Sequence, residues 1–331
     1  MLHNKTAKVK RTRTQGYSLA QNRRKCFIKA EMSKRTVLIT GCSDGGLGAA
    51  LALEMHSTGS YRVIASARNP NKLAAVKQAG IETIILDVLS ESSIASAVTE
   101  ISKLTGGSLD ILVNNAGAST PGPVSDMSVP EAKRIFDLNV WSPVVTTQAF
   151  LPLILKSSRG MIVNHTSVAS VITPPFNSSY GASKAALAMI TTSLRVELHP
   201  FGIAVVDLKS GAAKSNIVDN SKSEASQLRK KSLYYAAHDW LDEWMSGEDL
   251  SKTAITGEAW AKSVTAQLSR RNPPNEIWVG SHTWLVWFAT WMPVSVQQWI
   301  ARDMSKIPLI TKKINEYGRD KAIANAYGHL E

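Results

Sequence analysis

Tyr180 and Lys184 stand four residues apart in the run YGASK, and Ser167 lies thirteen residues upstream. Residues four apart on a helix are neighbours, so the Lys184 ammonium is expected beside the Tyr180 phenol. A free phenol titrates near ~10. A nearby positive charge favours the phenolate, so this spacing is expected to draw Tyr180 toward working pH. Ser167 closes the strand-like run MIVNHTS, where its hydroxyl can donate to a substrate oxygen. Together the three could protonate an alkoxide as it forms, or deprotonate an alcohol in reverse. A lone Tyr-x-x-x-Lys also describes an ordinary surface helix pair, so the reading rests on the rest of the chain.

A nucleotide-binding pattern lies upstream. Residues 35–48 read RTVLITGCSDGGLG: a β-branched run, a glycine-rich turn, then a helical pattern through Ala49, Leu51, Leu53 and Met55. Strand, glycine turn and helix in this order suit a dinucleotide, because glycines let the backbone approach a pyrophosphate. The helix N-terminus then offers free N–H groups to the phosphates. A second strand, YRVIASARN, ends without an acid to hold ribose hydroxyls and carries Arg68 instead. A cation there suits a 2′-phosphate, which predicts NADPH over NADH. A third strand, IETIILDV, brings Asp87 toward an adenine ring. A fourth, LDILVNNAG, ends in Asn114, Asn115, Ala116 and Gly117, which leave room for a ribose at the carboxyl edge of a sheet.

Strand signals near 36–40, 61–66, 81–87, 110–114, 160–166, 203–208 and 276–280 alternate with helical stretches, the longest near 130–156 and 179–199. That alternation predicts an α/β fold: a doubly wound parallel sheet of about seven strands with helices on both faces. The 331 residues suffice for one large domain with additions. No internal repeat or low-complexity tract is visible.

The formal charge of +12 looks like a nucleic-acid signal, but residues 1–31 hold nine Lys/Arg against one acid, a net +8 of that total. The remainder is only mildly basic and carries no nucleic-acid module, so no nucleic-acid partner is expected. Three readings of this tail stand open: a disordered extension touching anionic membranes, a targeting peptide, or an extension before a natural start at Met32. Cys26 lies in the tail and Cys42 in the glycine turn, which argues for a reducing compartment without a structural disulfide. The seven His show no metal-ligand spacing, and His165 reads as a wall residue beside the catalytic strand end.

The run TGCSDGGLG, Asp87-Val88, NNAG, Asn139, Ser167 and YGASK, in this order, resembles the short-chain dehydrogenase/reductase superfamily over roughly residues 35–280. The resemblance implies a Rossmann-type fold with Tyr180 as general acid/base. Lys184 would lower its pKa and hold the nicotinamide ribose, and Ser167 would orient the carbonyl. Asn139, in FDLNVW, would anchor a water linking Lys184 to solvent. Cofactor contacts carried over from the family are Gly41, Ser43, Gly46, Leu47, Gly48, Arg68, Asp87, Val88, Asn115, Ala116, Gly117, Tyr180, Lys184, Gly211 and Ser215. The glycine turn has one residue more than the family pattern TGxxxGxG, with Gly45 as the added position. Ser210-Gly211 and Ser215 stand where Pro-Gly and Thr are usual. The longer turn, Arg68 and GAAKSN look most like a fungal-type branch of NADPH-dependent acyl-dihydroxyacetone phosphate reductases, which also supplies reductases to secondary-metabolite pathways. Homodimers or homotetramers on the two long helices are implied.

These features divide the chain into a basic extension (1–33), a catalytic domain (34–282) with a variable substrate segment (212–275), and an aromatic-rich extension (283–331). The substrate segment is expected to become an amphipathic helix bearing Leu228, Leu233, Tyr234, Trp240 and Trp244, closing over the site as a lid. Arg229, Lys230 and Lys231 read as a solvated face, with a phosphate-bearing substrate as the alternative. Eight of nine Trp fall between 240 and 299, and residues 283–300 contain no charge. Trp284, Trp287 and Trp291 recur at helical intervals, while Pro293 leaves too short a run to span a bilayer. A monotopic anchor in the interface of the endoplasmic reticulum or a lipid droplet is expected, with Arg302, Lys306, Lys312 and Lys313 as head-group partners. The alternatives are a helix packed in the core or a dimer interface, and then a cytoplasmic location. The expected activity is NADPH-dependent reduction of a lipophilic ketone, either an acyl-dihydroxyacetone phosphate-like lipid or a secondary-metabolite ketone. A non-catalytic nucleotide sensor or scaffold is the alternative.

Overall fold

Continuous apolar runs need cover on both faces, and here they receive it. The computed structural model describes residues 34–172, 175–216 and 230–328. The basic extension with Cys26, and Leu228 and Arg229 of the substrate segment, lie outside the described residues. The strands β1 (Arg35–Ile39), β2 (Tyr61–Ala67), β3 (Glu82–Ile85), β4 (Ile111–Asn114), β5 (Met161–His165), β6 (Ala204–Ser210) and β7 (Glu276–Val279) form one sheet in the order β3-β2-β1-β4-β5-β6-β7. Every pairing is parallel. Successive side chains point to opposite faces: Val37 and Ile39 enter one core, Leu38 the other. The winding direction reverses between β1 and β4, which opens a crevice at the carboxyl ends of the strands.

The helices are α1 (Leu47–Ser57), α2 (Ala74–Gln78), α3 (Glu91–Thr105), α4 (Val129–Phe136), α5 (Ser142–Ile154), α6 (Ser178–Leu198), α7 (His238–Met245), α8 (Glu248–Thr253), α9 (Gly257–Leu268), α10 (Thr283–Ala289), α11 (Val294–Met304), α12 (Ile307–Tyr317) and α13 (Arg319–Tyr327). α1 and α9 cover one sheet face through Leu51, Met55 and Trp260. α3 and α5 cover the other through Ile94, Ile101, Phe150 and Ile154.

Two expected helices differ. The stretch near 130–156 is not one α-helix: α4 and α5 are joined by a π turn at Asp137–Trp141, where the Ser142 N–H donates to the Asp137 carbonyl. Pro143 explains the widening. It has no N–H, so a regular helix would leave the Asn139 carbonyl without its donor. Among the described residues of the substrate segment, the α-helix begins at His238. Leu233 and Tyr234 precede it in turns, where the Ser232 hydroxyl accepts from the Tyr234 N–H. Trp240 and Trp244 do lie on α7 as expected. Lys230 and Lys231 are exposed, as a solvated face should be.

The C-terminal helices do not all pack alike. α12 buries Ile310 in a third apolar cluster with Phe176, Ala237, Leu241 and Met245. The rings of Trp284, Trp287, Trp291 and Trp299 instead stay exposed, so core packing does not account for them.

Trp260 is the largest fully buried side chain among the described residues. Removing a buried indole leaves a cavity and typically costs about 3–5 kcal/mol. Trp260→Ala should therefore lower the unfolding free energy from urea melts by that much, seen as a lower midpoint at an unchanged m-value. A loss below about 1 kcal/mol would contradict this packing.

Candidate active site

β5 ends at His165, and the next residues carry the chemistry. Ser167 sits at the N-cap of a short turn (Val168–Ser170), its Oγ accepting from the Ala169 N–H at 3.1 Å. The same hydroxyl donates to the Ser210 carbonyl at 3.3 Å, which ties it to the end of β6. Tyr180 lies in the first turn of α6, its phenol facing the Ser167 hydroxyl. The loop after β4 fixes this helix start: the Gly122 N–H donates to the Phe176 carbonyl at 2.7 Å and Ser179 Oγ to the Thr120 carbonyl at 3.3 Å. Phe176 itself holds φ at +64°, a left-handed conformation rare for an aromatic residue. Such strain clusters at functional sites.

Lys184 lies one turn beyond Tyr180. Its Nζ is buried, sits 5.8 Å from the Tyr180 ring centroid and donates to the His165 carbonyl at 2.7 Å. Burial pushes this ammonium down to about 8, partly offset by Asp207. The effect expected on Tyr180 is not seen. Burial holds the phenol above its ordinary value, and only the Ser167 hydroxyl opposes it. Desolvation of the charged phenolate outweighs the spacing argument. The group is therefore poised as an acid, protonated at neutral pH.

Asn139 is fully buried in the π turn. Its Oδ1 accepts from the Ala118 N–H at 3.0 Å, and its Nδ2 donates to the Ala118 carbonyl at 2.9 Å and to Ser183 Oγ at 3.0 Å. Ser183 Oγ in turn donates to the Tyr180 carbonyl at 2.7 Å. The Asn139 side chain is thus spent on holding α6 against the β4 loop. A water at this residue would have to use its backbone carbonyl.

His165 is more than a wall residue. One ring nitrogen pairs with Asn115 Oδ1 at 2.9 Å and the other with Ser210 Oγ at 2.7 Å. Trp260 stacks on the ring at 5.3 Å and donates its indole N–H to the same Ser210 hydroxyl at 2.9 Å. The imidazole therefore joins the ends of β4, β5 and β6. Burial, and then Lys184, push it down to about 3.

The proposed cofactor residues line the same edge, and they suit a dinucleotide. α1 begins at Leu47 behind Gly46, which offers no side-chain cap, so the first N–H groups stay available for phosphate. A Cβ on Gly48 would lie 2.4 Å from Asn115 Nδ2 and 2.6 Å from the Gly41 carbonyl, so only glycine fits. Gly45, the added position, has φ of +75° and abuts Asn216. Gly117 leaves space between Asn139 and Lys184. Arg68 is exposed at the end of β2 with no ion-pair partner among the described residues. Asp87 lies two residues past β3, its carboxylate accepting from the Leu89 N–H at 3.0 Å, with Val88 buried beside it. Gly211 meets Ser281 and Thr283 closely, so its smallness also serves the end of β7. Ser43 and Ser215 are half-buried, and Ala116 donates its N–H to Thr40 Oγ1 at 3.1 Å.

Sequence reasoning missed Thr40 and Asn216. Thr40 Oγ1 also accepts from the Asn115 N–H at 3.0 Å, which locks the NNAG turn onto β1. Asn216 clasps the glycine turn, its Nδ2 donating to the Asp44 carbonyl at 3.0 Å and its N–H to the Gly45 carbonyl at 3.3 Å. The Asn that ends GAAKSN was the available signal.

An imidazole kept neutral in the fold but free to charge in the unfolded chain makes stability fall on acidification. His165's contribution is complete above its ordinary value of 6.5 and is lost as pH falls toward about 3. Between about pH 6.5 and about pH 4.5, urea unfolding should show a loss of ~1.4 kcal/mol per pH unit from this group. His165→Gln should lose that increment of the slope. Identical slopes in both proteins would contradict the assignment.

Comparisons with known proteins agree with this geometry. The family model described as short chain dehydrogenase matches residues 35–226. A short-chain dehydrogenase/reductase of Pestalotiopsis microspora is 42% identical over 283 residues, covering 85% of this chain and 98% of its own. An NADPH-dependent 1-acyldihydroxyacetone phosphate reductase of Schizosaccharomyces pombe is 32% identical over 289 residues, covering 83% and 96%. The crystal structure of a short-chain dehydrogenase from Streptomyces avermitilis superposes with a TM-score of 0.65 at 23% identity, covering 86% and 96%, and shares the fold. The chain belongs to the short-chain dehydrogenase/reductase family, oxidoreductases that interconvert alcohol and carbonyl on small molecules.

Proposed function

We propose that the protein is an NADPH-dependent reductase of a lipophilic carbonyl. One observation carries this reading: the Ser167 and Tyr180 hydroxyls converge at the carboxyl edge of the sheet, with the Lys184 ammonium buried beneath. Bound nicotinamide would supply the hydride. Ser167 would donate to the carbonyl oxygen, and Tyr180 would hand its proton to that oxygen as charge develops. A phenol protonated at neutral pH can supply that proton. The assembled triad stands against a purely sensing or scaffolding role.

Arg68 supports NADPH, since a free cation at the end of β2 is suited to the 2′-phosphate. Lys184 and the space at Gly117 would take the nicotinamide ribose. The relative named as an NADPH-dependent 1-acyldihydroxyacetone phosphate reductase supports both that cofactor and a lipid-like substrate. Phe176, four residues before Tyr180, meets Tyr234 and Trp244 edge-on at 5.3 and 5.9 Å, an aromatic wall suited to an apolar chain.

Tyr180→Phe should lower kcat for ketone reduction by about 10²–10⁴, the ordinary worth of a positioned acid, while NADPH affinity by fluorescence titration stays within about twofold. Retained turnover would remove Tyr180 from this role. Arg68→Ala should cut kcat/KM with NADPH by roughly 10–100-fold and leave NADH nearly unchanged, as expected for loss of a charge-assisted contact. Equal effects on both cofactors would refute the NADPH assignment.

A further inference from the structure

We propose that the aromatic face of α10 and α11 seats in a lipid–water interface. On α10 and the turn after it, Trp284, Trp287, Phe288 and Trp291 share one helical face, and α11 adds Trp299. Trp284 is 69% exposed, Trp291 74% and Trp299 67%. The four rings on the α10 face leave on the order of 500 Å² of aromatic surface in water, in the upper half of the range for a soluble monomer's largest patch. Indole rings prefer the boundary between hydrocarbon and headgroups. No Asp, Glu, Lys or Arg occurs from residue 277 to residue 301. Pro293 divides the apolar run, and no helix among the described residues is long and apolar enough to cross a membrane. That combination describes helices lying in the interface.

The charges that follow choose between a lipid and a second copy. Arg302 stands one turn from Trp299 on α11 with exposed Asp303 beside it, and exposed Lys306, Lys312 and half-buried Lys313 follow, Lys312 lying 3.8 Å from Glu316, so cations outnumber acids along this rim. Anionic headgroups complement such a rim. A two-fold dimer would set the same rim against itself. The seat also connects to the substrate wall: α12 buries Ile310 in the cluster that holds Phe176. The helix that continues from the lipid-seated pair thus packs beside the loop leading to Tyr180. Lipid binding needs no turnover, so its outcome is independent of the carbonyl reductase reading.

The test is flotation of the full chain with vesicles of phosphatidylcholine and phosphatidylserine, beside a variant with Trp284, Trp287, Trp291 and Trp299 all changed to Ser. The wild type should float and the variant should lose at least tenfold in the bound fraction, with an unchanged thermal melt. A wild type that stays in the aqueous fraction overturns the proposal, and more so if light scattering shows a dimer that the variant splits. Should the variant fail to fold, brominated-lipid quenching of wild-type Trp fluorescence decides instead: quenching supports the seat, and its absence overturns it.

Discussion

A lysine ammonium taken out of water is the constraint on which the site depends. Lys184 is buried, forms no ion pair among the described residues, and leans on a backbone carbonyl, that of His165. Burying a charge this way is costly unless the surroundings are arranged to receive it. The arrangement is the convergence of β4, β5 and β6. His165 bonds sideways to Asn115 and Ser210, Trp260 covers its ring, and the carbonyl that meets Lys184 is thereby fixed. The buried pair of Asp207 and Lys209, with Thr166 donating to Asp207, pins the neighbouring residue of the same strand end.

From that anchor the remaining geometry follows. Lys184 sets the rotation of α6, α6 sets Tyr180, and the Ser167 turn meets the phenol from β5. The π turn contributes from the other side. Pro143 widens the chain at Asn139, whose amide then spans from Ala118 to Ser183 and holds the helix start. The glycine turn is closed by Asn115 at one end and Asn216 at the other. A parallel sheet gathers all of these at one edge because every strand points its carboxyl end the same way.

Much of this was legible in the sequence, for identifiable reasons. Strands buried on both faces announce themselves as continuous apolar runs such as RTVLI and MIVNH, and the seven expected strands match the seven observed. Tyr180 and Lys184 are a local pair, so their spacing is readable. The His165 hub was not, because Asn115 and Ser210 lie 50 and 45 residues away. Asn216 reaches back 172 residues to Asp44. The direction of the Tyr180 shift was missed for a related reason. Desolvation is a property of the packed site, whereas a neighbouring charge is visible in the spacing. The break at Asn139 follows from Pro143, whose missing N–H is visible in the sequence, although a proline in a helical pattern does not say whether the chain kinks, stops or widens.

A desolvated Lys184 ammonium held against the His165 carbonyl must release its proton more readily than a free lysine. NMR titration of ¹³C-labelled lysine, with Lys184 assigned by its loss in Lys184→Arg, tests this directly. The midpoint should lie near 8 in the folded protein. A midpoint at the ordinary lysine value of 10.5 would contradict it.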